Sequence, residues 1–112
     1  MTRRAPNALG PLTLACCALV GAAWPGPGRA EILHLGIGSM AFADVPASAR
    51  VGDTVEWSNR DIVAHTATAR DECFDVVILP GKTGRTVLRK AGKTRFYCRY
   101  HPGMVGEIDV HL

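Results

Sequence analysis

The chain has 112 residues, with 13 Lys and Arg against 10 Asp and Glu, 4 Cys and 4 His. That length holds one small domain and excludes a two-domain enzyme, a dinucleotide fold with a substrate domain, or a long repeat array. At 47% hydrophobic and 21% charged the composition is globular rather than disordered, and the formal +3 raises a nucleic acid or an acidic membrane as the first candidate partner.

The beginning of the chain removes that candidate. A basic start, Met1-Thr2-Arg3-Arg4, leads into an acid-free apolar stretch over residues 9–24, then Pro25-Gly26-Pro27-Gly28 and Arg29-Ala30. This order is the anatomy of a secretory signal peptide over residues 1–30, cut after Ala30. A membrane span needs about 20 apolar residues, and Pro11 interrupts a shorter run. The mature chain, residues 31–112, is therefore expected to be exported to the periplasm with no membrane span. Cleavage removes Arg3, Arg4 and Arg29 and no acid, leaving 10 basic and 10 acidic residues. The polycation argument for DNA or RNA lapses, and no nucleic-acid partner is expected. Cys16 and Cys17 leave as well, so only Cys73 and Cys98 remain.

From residue 31 onward the sequence reads as short strands between turn signals. Ile32 to Ile37 is an apolar run ending in glycines, and Met40-Ala41-Phe42 precedes a break at Asp44 and Pro46. Met40 and Phe42 are expected in the core. Ala49-Arg50-Val51 meets the turn pair Gly52-Asp53, and Thr54-Val55-Glu56-Trp57 alternates. After Asn59-Arg60-Asp61 come Ala64 to Thr68, then Phe74 to Leu79, stopped by Pro80-Gly81. Thr86-Val87-Leu88 and the turn Ala91-Gly92-Lys93 lead to Thr94 to Cys98, with Phe96 and Cys98 on one face. Residues 106–112 put Ile108, Val110 and Leu112 on one face and Glu107, Asp109 and His111 on the other. Seven or so strands with glycine-rich turns predict an all-β, antiparallel sandwich occupying residues 31–112 as one domain. His34, inside an apolar strand, is read as a structural histidine and His111 as solvent-exposed.

The chemistry is concentrated in Phe96-Tyr97-Cys98-Arg99-Tyr100-His101-Pro102-Gly103-Met104. A thiol, an imidazole and a thioether at C-x-x-H-x-x-M spacing can converge from one tight loop. Soft sulfur with imidazole selects copper over hard cations, and a trigonal His₂Cys set with a long axial Met is the blue-copper arrangement. The missing imidazole must come from another strand. His65, preceded by Val63 and Ala64 and followed by small residues, is the candidate. Two cysteines in an exported domain usually read as a disulfide. The ligand loop around Cys98 argues against that pairing and leaves Cys73 a spare thiol, whose ionisation the neighbouring Asp71 and Glu72 discourage.

On these residues the chain resembles the cupredoxins, most closely the amicyanin, pseudoazurin and plastocyanin branch. The resemblance runs through Val51-Gly52-Asp53-Thr54-Val55-Glu56-Trp57-Ser58-Asn59, then His65-Thr66, then Tyr97-Cys98, His101-Pro102 and Met104. The two-residue gap between His101 and Met104 matches the amicyanin loop better than the longer loops of plastocyanin and pseudoazurin. The resemblance implies a Greek-key β-sandwich with one type 1 copper at one end. His65, Cys98 and His101 would be the equatorial ligands and Met104 the axial one. It also implies a monomer that carries single electrons between a redox protein donor and acceptor, such as a dehydrogenase and a cytochrome, and is not an enzyme. The alternative is a copper carrier or storage protein that delivers copper rather than electrons. Two positions depart from the family pattern: Thr66 stands where Asn usually follows the first histidine, and Tyr100 stands where amicyanin has Pro. Finally, seven basic residues and no acid lie between Lys82 and Arg99, whereas Asp44 to Asp75 is acid-rich. That asymmetry predicts a partner with an acidic rim.

Overall fold

Alternation of inward and outward side chains builds most of the strands, and the computed structural model describes them over residues 29–112. The expected signal peptide, with Cys16 and Cys17, lies outside the described residues except for its last two positions. Nine strands are present there: β1 (Ile32–Gly38), β2 (Ala41–Ala43), β3 (Ser48–Arg50), β4 (Thr54–Asn59), β5 (His65–Ala69), β6 (Asp75–Ile78), β7 (Thr83–Val87), β8 (Gly92–Tyr97) and β9 (Val105–His111). They form two sheets, ordered β2-β1-β4-β7 and β3-β9-β8-β5-β6, and the sandwich is all-β as expected.

The expected antiparallel pairing is incomplete. β1 runs parallel to β4, with Leu35 opposite Trp57, and β3 runs parallel to β9. Between β1 and β4 the chain crosses to the second sheet as β3 and returns, so β4 re-enters in the direction of β1. Strand β7 starts three residues earlier than its apolar residues suggest. Its pairing with β4, from Thr83 opposite Ser58 to Val87 opposite Thr54, orders a polar stretch that alternation does not reveal.

The core forms between the sheets from Leu35, Ile37, Val55, Trp57, Phe74, Ile78, Phe96, Ile108 and Val110. Trp57 and Phe96 meet edge to face at 5.1 Å, a favoured aromatic geometry. The Trp57 indole N–H donates to Thr86 Oγ1 at 2.9 Å, so its one polar atom is paired. Gly106 lies beneath the Phe96 ring, and a Cβ there would overlap it. That contact sets the floor of the β8–β9 pair, from which the Cys98 loop springs.

Of the two residues expected in the core between β1 and β3, Phe42 packs against it and Met40 does not. Met40 is 44% exposed in the β1–β2 turn at φ 60, because Ser39 and Met40 both adopt the left-handed conformation that reverses the chain. Leu112 is 97% exposed, just beyond the end of β9 at His111. His34 points outward from β1 and rests its Nδ1 3.2 Å from Glu56. His111 is exposed, as read.

Candidate metal centre

Four connections meet at one end of the sandwich: residues 39–40, 60–64, 79–82 and 98–104. Arg60 N–H donates to Ile37 O and Asn59 N–H to Lys82 O, which ties three of them together. The β8–β9 loop is closed by three main-chain bonds: Cys98 N–H to Met104 O at 3.1 Å, His101 N–H to Cys98 O at 3.2 Å, and Met104 N–H to His101 O at 2.8 Å. Each bond joins two of the predicted ligand residues, so the C-x-x-H-x-x-M spacing winds their side chains onto one side of the loop.

His65, the first residue of β5, faces this loop. His65, Cys98 and His101 bring their donor atoms within 4.8 Å of one another. Cys98 Sγ lies 3.7 Å from both His65 Nδ1 and His101 Nδ1. Metal bonds of about 2.0 Å to nitrogen and 2.3 Å to sulfur, splayed at about 120°, separate the two donors by roughly 3.7 Å. Both sulfur–nitrogen separations are therefore those that a shared metal ion would require. His65 and Cys98 are fully buried, Met104 is buried beneath the loop, and His101 is half-buried and the most accessible of the four.

Neighbouring groups prepare these donors. His65 Nε2 lies 2.7 Å from Asp61 Oδ2. A carboxylate can only accept, so Nε2 carries a proton toward Asp61, and Nδ1, facing Cys98, is the ring atom that would ligate a metal. Asp61 in turn accepts the main-chain N–H groups of Ser39 and Met40 at 2.8 and 3.0 Å. The Met40 N–H, then the His65 ring, and then the Ser39 N–H hold its carboxyl below the usual range against the effect of burial. Asn59 fixes the turn between them: its amide donates to Val63 O and Ile78 O, and its oxygen accepts from Asp61 N–H.

Burial pushes the Cys98 thiol up. Thr66 N–H on Sγ, followed by the His65 and His101 rings and the Tyr100 N–H, outweighs it and brings the thiol down from 9.0 to about 6. At neutral pH Cys98 is thus a thiolate, the form that ligates metal. Thr66, where the family pattern has Asn, still joins strand to loop: its N–H lies 3.3 Å from Cys98 Sγ and its hydroxyl accepts Arg99 N–H at 2.7 Å.

Sequence reasoning missed Asp61, whose only signal was a carboxylate four residues before His65. It also overread the charge asymmetry. Five of the seven basic residues between 82 and 99 are matched by acids from other strands: Arg85 by Glu56, Lys90 by Asp71, Lys93 and Arg95 by Glu107, and Arg99 by Asp75. The runs are segregated in sequence and interleaved in space. Cys73 is exposed and free, and Cys98 is buried and free, so the two form no disulfide.

No helix among the described residues is long and apolar enough to cross a membrane. No family model matches the sequence, and no curated protein matches it. Solved structures do match. Amicyanin from Paracoccus versutus (Thiobacillus versutus) is 23% identical, with 76% of this chain aligned to 84% of that one at a TM-score of 0.61. A Met-to-Ala mutant of amicyanin in its Cu(I) state is 21% identical, over 71% of this chain and 82% of that one, at a TM-score of 0.63. A reduced Cu(I) form of a Pro-to-Gly amicyanin mutant at pH 4 is 22% identical over the same shares, also at 0.63. Two sheets in this order, closed at one end by a His-Cys-His cluster, therefore have the fold of amicyanin, the cupredoxin β-sandwich.

Proposed function

We propose that this chain is an exported type 1 copper protein that carries single electrons between a redox protein donor and acceptor, as a carrier and not an enzyme. The observation that carries the reading is the convergence of His65 Nδ1, Cys98 Sγ and His101 Nδ1 around one point. A thiolate with two imidazoles is a donor set that suits copper, and the similar structures include Cu(I) amicyanins. Copper, when bound, supplies the one-electron couple.

The protein's contribution is rigidity and access. His65 is held by Asp61, Cys98 by Thr66 and the three-bond loop, and Met104 by its own main-chain bonds to residues 98 and 101. Met104 is the proposed axial ligand. A donor set fixed by two strands and one loop changes little between oxidation states, which suits electron transfer. His101, the most accessible of the four, is the proposed exit to solvent. Met40, Ile62, Val63, Leu79 and Tyr100 are large apolar side chains exposed on the four connections at this end. Exposed apolar side chains gathered at the end that holds the proposed site suit a docking surface. Residues 1–30 supply the export signal, and the mature chain is proposed to act as a periplasmic monomer.

The visible spectrum of the copper-loaded protein tests the assignment. Intense thiolate-to-copper charge-transfer absorption that bleaches on reduction and returns over repeated cycles is expected. Absence of the band overturns the copper site. A band that is lost to a Cu(I) chelator on each reduction assigns the chain to copper delivery instead.

A further inference from the structure

Behind the thiolate a second set of side chains forms a closed ring. Arg99 N–H donates to Thr66 Oγ1 at 2.7 Å. Thr66 Oγ1 lies 3.0 Å from Thr68 Oγ1, and Thr68 Oγ1 donates to Asp75 Oδ1 at 2.7 Å. Asp75 Oδ1 also accepts Arg99 Nε at 3.2 Å, returning the ring to the residue where it began. Thr66 is fully buried and Thr68 nearly so, while Asp75 and the Arg99 guanidinium are at the surface.

The direction of the ring follows from its ends. An amide can only donate and a carboxylate can only accept. Thr68 therefore gives its proton to Asp75, Thr66 gives its proton to Thr68, and the Thr66 oxygen is left as the acceptor for Arg99 N–H. Hydroxyl groups in such a chain polarise one another in a low-dielectric interior. Thr66 also holds Cys98 through its main-chain N–H on Sγ. Strand β5 thus grips the loop at two consecutive residues, and the carboxylate that orients the grip belongs to β6.

We propose that Thr68 and Asp75 are positioning residues for the metal centre: acting through Thr66, they fix the Cys98–Arg99 segment and with it the hydrogen bond on the thiolate. This rests on the copper reading given above for its effect on the metal and deepens it by assigning control of the potential to a surface carboxylate. Hydrogen bonding around the cysteine sulfur is one of the levers on such a site's potential. Fewer donors on the sulfur favour the oxidised state. Neither Thr68 nor Asp75 belongs to the ligand set.

The test compares Thr68→Val, which keeps the shape and removes the hydroxyl, with Thr68→Ser, which restores it, and with Asp75→Ala. In the metal-free protein, exchange of the Arg99 amide should quicken by about three- to tenfold in Thr68→Val and Asp75→Ala, the worth of one ordinary hydrogen bond, and revert in Thr68→Ser. In the copper-loaded protein the same two variants should shift the charge-transfer band and move the redox equilibrium toward Cu(II) by about two- to threefold, again with reversion in Thr68→Ser. Quickened exchange with an unmoved band and potential reduces the ring to support of the fold and overturns the proposal. Unchanged exchange overturns it outright. A wild-type protein without a charge-transfer band refutes the copper reading alone, because the exchange arm still decides whether Thr68 and Asp75 hold the loop.

Discussion

Cys98 and Cys73 are the same group in two settings. Cys98 ends β8 inside the sandwich, with the Thr66 N–H and two imidazoles around its sulfur, and its thiol is brought down to about 6. Cys73 lies in the exposed β5–β6 turn, 3.0 Å from Asp71 Oδ1 by its main-chain N–H. There the hydrogen bond to Asp71, some burial and the Asp71 charge push the thiol up, opposed only by Lys90. Burial by itself would make Cys98 the harder thiol to ionise. Donors aimed at the sulfur reverse that order, so the environment and not the residue type makes a ligand.

Exchanging each thiol for a hydroxyl should separate the two sites most. Cys98→Ser is expected to abolish the charge-transfer band and weaken copper binding by at least about a thousandfold, since a hydroxyl is not ionised at neutral pH. Cys73→Ser is expected to leave spectrum and affinity unchanged. Absorption spectra and competition with a copper chelator read both.

The next largest effect is the pH dependence that Cys98 carries. In the metal-free protein its ionisation, followed by thiolate absorbance in Cys73→Ser, should have its midpoint at about 6. Between that value and 9.0 the unfolded chain holds a proton that the folded chain has lost. Stability should therefore rise with pH across this window and fall as pH drops through about 6. Denaturant midpoints at a series of pH values should show the slope, and the added Cys98→Ser change should flatten it.

Asp61 acts on the Cys98 site through His65. Asp61→Ala removes the acceptor that fixes the His65 tautomer and also leaves the Ser39 and Met40 N–H groups unpaired. Copper affinity should fall about 10- to 100-fold, measured by chelator competition. Asp61→Asn, which still offers an oxygen, should lose less.

The smallest effect belongs to the Cys73 side. Lys90 and Asp71 are 3.8 Å apart at the surface, and such a pair contributes about 0–1 kcal/mol. Lys90→Ala should leave the denaturant midpoint nearly unchanged, while the Cys73 thiol loses the one charge that lowers it and titrates higher.

Much of this was legible in the sequence. Alternation placed the strands, because a half-buried strand must repeat every two residues. The loop was legible because its three candidate donors lie within seven consecutive residues, where spacing dictates geometry. His65 was harder, since it reaches the loop only across the β5–β8 pairing, and it was found by what the loop lacked. Met40 misled because apolar character predicts burial only where the backbone does not turn, and a φ of 60 reverses the chain there.

The charge of the chain divides the same way. That the +3 belongs to residues 1–30, leaving a neutral remainder, is arithmetic on the sequence. So is the identity of the sulfur and imidazole donors. How the remaining charges act was decided by tertiary structure: strand pairing brings Glu56, Asp75 and Glu107 beside Arg85, Arg99 and Arg95. The Asp61 carboxylate on His65 and the ring through Thr66, Thr68 and Asp75 were decided in the same way. A sequence states which groups a chain owns and how near neighbours are spaced. Which distant groups meet depends on sheet order and register, and there the proton on His65 and the donor on the Cys98 thiolate are set.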